Sequence, residues 1–134
     1  MSRKIIIGLV ILLAVTVSVW AGGSGEKGAP VVVASKIDTE GALLGQMIVK
    51  LLDAEGIPTE DRTEFGPTDV IRKAIAGGEI DIYPEYTGNG QFFFSSDQPE
   101  LWKDAAKGYA KVKELDYEAN KVVWLTPAPA NNTV

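Results

Sequence analysis

Ile80-Asp81-Ile82-Tyr83-Pro84-Glu85-Tyr86-Thr87-Gly88-Asn89-Gly90 decides how the rest of the chain is read. Ile80 to Tyr83 alternates at period two, the pattern of a strand, and Pro84 has no N–H to carry a ladder further, so the strand must stop there. It delivers Tyr83 to Gly90 to a sheet edge, and in α/β folds ligands sit at such edges.

Upstream of this stretch, Val31-Val32-Val33-Ala34 is short, β-branched and apolar on both faces, as a buried parallel strand is. Ser35 to Asp38 then form a loop and Thr39 is the expected N-cap of a helix. Behind it Leu43, Leu44, Met47, Ile48, Leu51 and Leu52 come in pairs every four residues, which predicts one apolar stripe, and Gly56 ends the helix. A weaker strand is expected over Arg62 to Phe65. Gly66-Pro67 opens a second helix with Val70, Ile71, Ala74 and Ile75 inward and Arg72 and Lys73 facing water, closed by Gly77-Gly78.

Downstream, Pro99 begins a third helix with Trp102, Ala105, Ala106, Tyr109 and Val112 on one side, and Lys103, Lys107 and Lys111 form a solvated row on the other. Val122-Val123-Trp124-Leu125 reads as a further buried strand, and Thr126 to Asn132 as a stiff, extended connector. Strand and helix alternate throughout, so the expected fold is α/β with a mostly parallel sheet and helices on its faces. The last strand ends nine residues before Val134, and a proline-stiffened connector is a usual route between domains, so a second lobe is expected beyond this chain.

The first residues differ in kind. Arg3 and Lys4 precede an apolar run from Ile5 to Ala21, which ends in Val19-Trp20-Ala21 before Gly22-Gly23-Ser24-Gly25, the layout of a secretory signal peptide over residues 1–21. Residues 22–30 read as a flexible linker and 31–134 as the folded part. The whole chain carries 13 basic and 18 acidic side chains; removal of residues 1–21 leaves 11 basic and a net charge of −7. Nucleic acid is thereby disfavoured as a partner, since phosphate binding needs clustered positive charge. With no cysteine the fold must hold by packing alone, and no thiol is present to accept a lipid.

The chain contains neither histidine nor cysteine, so Ser/His and Cys/His pairs are excluded and a metal site would need carboxylates alone. Glu79, Asp81 and Glu85 cluster, but Glu79 and Asp81 share one strand face, usually a solvated one. No catalytic residue, cofactor or metal is expected. Binding is better supported: Tyr83 and Tyr86 flank Pro84-Glu85 beside small residues, and aromatic faces attract quaternary ammonium ions. Tyr86, past the strand end, is the stronger candidate. Lys36, between the first strand and a helix N-terminus, stands where it can meet a zwitterion's carboxylate.

Three stretches resemble the substrate-binding proteins of osmoprotectant ABC importers, most closely their OsmF-like glycine betaine branch. They are Ala34-Ser35-Lys36-Ile37-Asp38-Thr39-Glu40-Gly41, then Gly78 to Gly90, and Trp124-Leu125-Thr126-Pro127-Ala128-Pro129-Ala130-Asn131-Asn132-Thr133. The resemblance implies a type II periplasmic-binding fold with the ligand held between two lobes. It implies that Lys36 lies near a ligand carboxylate, that Tyr86 belongs to an aromatic cage, that Asn89 is a small polar contact and that Asn132 sits at the hinge. It also implies membrane permease subunits as partners, glycine betaine, choline or a similar amine as ligand, and an extracytoplasmic location. Gly41 stands where several relatives have glutamine and Val134 where they have an aromatic, departures that imply a thinner cage and low affinity. The competing reading is an exported domain with an interaction or structural role that no longer serves transport.

Overall fold

A computed structural model describes residues 28–94 and 99–129. The expected signal peptide, most of the linker, and Asn132 lie outside the described residues. The elements are β1 (Val31–Lys36), α1 (Thr39–Ala54), β2 (Thr59–Gly66), α2 (Thr68–Ala76), a 3-10 turn (Thr87–Asn89) running into the short α3 (Gly90–Phe93), a second 3-10 turn (Pro99–Lys103) and α4 (Ala105–Asn120). β1 and β2 pair in parallel with Val31 opposite Thr59, and Ile82 bridges Val33, also in parallel. The architecture is the expected α/β one.

Period-two alternation along β1 assigns the two faces. Val32 and Ala34 join Ile71, Ala74 and Ile80 in the core under α2, packed further by Phe65, Ile75 and Tyr83. Ser35 points to the opposite face, where its Cβ meets α1. Ile71 is 0% and Ile80 2% exposed, and full burial of such a side chain contributes about 1.5–3 kcal/mol.

The paired apolar stripe of α1 is only half buried. Leu43, Met47 and Leu51 are 51–66% exposed, and the buried line is Gly41, Gly45 and Val49. A Cβ at Gly45 would stand 2.8 Å from Thr63 and 2.9 Å from Ser35, so α1 approaches the sheet along its glycines and turns the first residue of each pair outward. Asp38, rather than Thr39, caps α1 by accepting the Gly41 amide at 2.7 Å. Gly56, at φ +74, ends it as expected.

Two expected strands are not formed as such. Ile80 to Tyr83 makes a single bridge, because the Asp81 carboxylate takes the Val32 amide at 2.8 Å and Pro84 offers no further donor. Val122 to Leu125 pairs with no strand among the described residues. It is anchored instead by the Trp124 indole on Asp116, leaving Val123 and Leu125 61% and 65% exposed. The third helix starts later than expected: Pro99 opens the 3-10 turn, and Asp104 caps α4 by accepting the Ala106 and Lys107 amides. Its lysines are solvated, pairing at the surface with Glu100, Asp104 and Glu114.

Candidate ligand site

The end of β1 is shaped by an irregularity. Between Ala34 and Lys36 the register with β2 jumps from Arg62 to Gly66, and Glu64 takes the left-handed conformation at φ 58. The buried Ser35 hydroxyl accepts the Glu64 amide at 2.8 Å and donates to the Lys36 carbonyl at 2.9 Å, so the freed backbone groups are satisfied. Lys36 is thereby set at the end of β1, beside the segment that leaves the neighbouring Ile82 bridge.

There the side chains converge on one carboxylate. Glu85 Oε1 accepts from Lys36 Nζ at 2.7 Å, from the Tyr86 amide at 2.8 Å and from Asn89 Nδ2 at 2.7 Å, while Oε2 accepts from the Tyr83 hydroxyl at 3.1 Å. The Lys36 and Glu85 side chains are 9% and 5% exposed. The Lys36 ammonium also lies 4.8 Å from the centroid of the Tyr86 ring. Lys36, Tyr86 and Asn89, expected in one ligand site, are brought together. Their common partner, Glu85, figures in the sequence reading as part of a carboxylate cluster and as a loop residue between the two tyrosines, not as a site residue. The available signal was its place between Pro84 and Tyr86, at the end of the strand-like run.

Of the two glycines here, only Gly90 serves packing. A Cβ at Gly90 would overlap Cζ3 of the buried Trp102, so the turn bearing Asn89 lies directly against that indole. Nothing stands within 4 Å of a Cβ at Gly88.

Beside this cluster is a second one that the sequence reading missed. Arg72, expected to face water, has a side chain only 13% exposed and donates to the fully buried Asp116 at 2.8 and 2.6 Å. Asn120 and the Trp124 indole donate to the same carboxylate at 2.8 and 2.7 Å. Burial works to raise the Asp116 pKa, but the bonds from Arg72, Asn120 and Trp124 prevail and hold it below the usual carboxylate value. The guanidinium also lies 4.3 Å from the centre of the Phe93 ring and is close enough to Tyr83 to interact with it electrostatically. Burial, and then the neighbouring Glu85 carboxylate, push the Tyr83 phenol well above its ordinary range. The clusters therefore meet at Tyr83 and Arg72.

Chemically, the arrangement offers a sheltered carboxylate, an aromatic face and a lysine, with no nucleophile poised beside a base. Among the described residues no group of three His, Cys, Asp or Glu is placed to hold a metal ion. None of their helices is long and apolar enough to cross a membrane.

Comparison with known proteins shows the family to which the chain is related. The glycine betaine-binding protein YehZ of Escherichia coli K12 is 55% identical over 125 residues, covering 93% of this chain and 39% of that protein. The structure of apo YehZ from Escherichia coli superposes with a TM-score of 0.74 at 60% identity, over 78% of this chain and 37% of that one. This chain thus spans less than half the length of the relatives it matches. That solved fold carries the same lobe, and residues 29–134 match the profile of the OpuAC family, the substrate-binding domain of ABC-type glycine betaine transport systems. With a family match over most of its length and a parallel α/β lobe presenting the Glu85 cluster at the end of β1, the chain belongs to that family of ABC substrate-binding domains.

Proposed function

We propose that this chain forms part of an extracytoplasmic solute receptor that hands a quaternary-ammonium osmoprotectant, glycine betaine or a close analogue, to the permease of an ABC importer, and that it catalyses nothing. The observation that carries the reading is the convergence of Lys36, Tyr86 and Asn89 around Glu85 where β1 ends. A trimethylammonium group has no N–H to donate, so it must be recognised by aromatic faces and nearby negative charge. Tyr86 supplies a face, Glu85 the charge, Asn89 holds Glu85, and Lys36 is available to a ligand carboxylate. Asn132 supports the reading by sequence resemblance alone. Residues 1–21 serve as the export signal, so the mature N-terminus is Gly22, which mass spectrometry of the exported protein reads directly.

Titration calorimetry with glycine betaine on the full-length protein and its Tyr86→Ala variant tests the site. One aromatic face contributes about 0.5–2 kcal/mol, so the variant should bind roughly 2- to 30-fold more weakly. Undiminished affinity removes Tyr86 from the site, and no binding of any quaternary amine by the wild type defeats the reading.

A further inference from the structure

We infer that Lys36 is the residue that makes the site choose a zwitterion over a plain cation, because its own ammonium stands on the surface that the ligand's cation needs. The inference rests on the quaternary-ammonium reading above. Lys36 Nζ is 4.8 Å from the Tyr86 ring centroid and 2.7 Å from Glu85 Oε1. An aromatic face with a sheltered carboxylate is what a bound quaternary ammonium asks for, and here a side chain of the protein already has both. A ligand cation on that face must send Lys36 elsewhere.

The count of charge then decides which ligands succeed. Lys36 and Glu85 together sum to zero, with side chains 9% and 5% exposed. Glycine betaine brings one positive and one negative charge, so the sum stays at zero: its trimethylammonium takes over Tyr86 and Glu85 while its carboxylate becomes the new partner of Lys36. Choline brings a positive charge alone, leaving two cations to share one carboxylate. A sheltered charge without a partner is costly. Of the pair, Lys36 is the member able to move. Glu85 keeps three other donors, from Tyr83, the Tyr86 amide and Asn89, whereas the lysine head rides on a flexible four-carbon stem.

The test is titration of the full-length wild type, Lys36→Gln, and the double variant Lys36→Gln with Glu85→Gln, each with glycine betaine, choline and tetramethylammonium. The wild type should prefer betaine. In Lys36→Gln, choline and tetramethylammonium should gain about tenfold, equivalent to about 1.4 kcal/mol, and betaine should lose at least as much, so that the preference reverses. If Lys36→Gln weakens betaine but leaves the two plain cations unchanged, Lys36 reads the carboxylate without guarding the cation face, and the inference is overturned. A variant indifferent for all three ligands overturns it as well. Should Lys36→Gln melt far below the wild type, the double variant, which leaves no unpaired charge, carries the test. There the betaine preference should shrink to within about twofold, under about 0.4 kcal/mol, and its persistence overturns the inference. A wild type that binds none of the three refutes the function proposed above, a result distinct from every selectivity outcome.

Discussion

Asp116→Ala should destabilise this protein more than any surface substitution. In the wild type the carboxylate is 0% exposed and receives four hydrogen bonds of 2.6–2.8 Å, two from Arg72 and one each from Asn120 and Trp124. Alanine leaves all four donors facing a void, with a guanidinium whose side chain is only 13% exposed. Breaking a buried pair from one side costs about 3–5 kcal/mol, a large part of the roughly 5–15 kcal/mol that holds a domain together. At about 4–8 °C per kcal/mol for a domain of this size, the melting temperature should fall by roughly 12–40 °C. Removing both charges, with Arg72→Met and Asp116→Leu, should recover most of that loss, since apolar replacement of a buried pair is often neutral. The same carboxylate predicts acid lability. Its folded pKa lies below the model-compound 3.8, so its stabilisation is complete above that value and fades as pH falls below it through the folded value. Circular-dichroism melts at pH 7, and from pH 5 down to 2, give both readouts. An Asp116→Ala protein within about 1 kcal/mol of wild type, the range of solvated surface pairs, would refute the reasoning, as would a double variant no more stable than the single.

Gly90→Ala should cost about 1–3 kcal/mol, because its Cβ would overlap the Trp102 ring, whereas Gly88→Ala meets nothing within 4 Å and should stay within about 0.5 kcal/mol; urea unfolding of the two compares them. Asp38→Ala, which deletes the cap on the Gly41 amide, should lose about 1 kcal/mol in the same assay, and Asp38→Asn should retain most of it. Met47→Gln on the exposed line of α1 should change stability by less than about 0.5 kcal/mol, while Val49→Ala, on its buried line, should cost more than about 1 kcal/mol.

The β1–α1–β2–α2 order was legible because it rests on local signals. Val31 to Ala34, the glycines at 56 and 77–78 and the proline at 67 each impose their meaning on their own few residues. What was misread depended on partners far along the chain. Periodicity located the apolar pairs of α1 but not its contact line, which is set by how closely Gly45 approaches Ser35 and Thr63. Arg72 has a helical position that faces water by spacing, and its burial follows from Asp116, 44 residues later. Glu85 is the clearest case. Lys36 and Glu85 lie 49 residues apart, and no local pattern pairs them until Ile82 is seen alongside β1. Val122 to Leu125 had the composition of a strand, but composition does not supply a neighbour with free backbone groups.

Tyr83 explains why the Glu85 end of this arrangement is the fixed one. Its hydroxyl donates to Glu85 beside the positive charge of Arg72, and Arg72 is held by two bonds to Asp116 and lies over the Phe93 ring. Asp116 in turn holds Trp124, two residues before the connector that begins at Thr126. A chain of three further donors, the Tyr83 hydroxyl, the Tyr86 amide and Asn89, thus holds the Glu85 carboxylate in place independently of Lys36. Lys36 has no such chain behind it: its head is tied to Glu85 and rests on Tyr86, and both contacts lie at the tip of a flexible side chain. Any cation entering the cluster therefore meets a rigid acceptor and a movable competitor. That asymmetry is why selectivity should follow Lys36 and overall stability should follow Asp116, so substitutions at the two positions should separate ligand choice from folding.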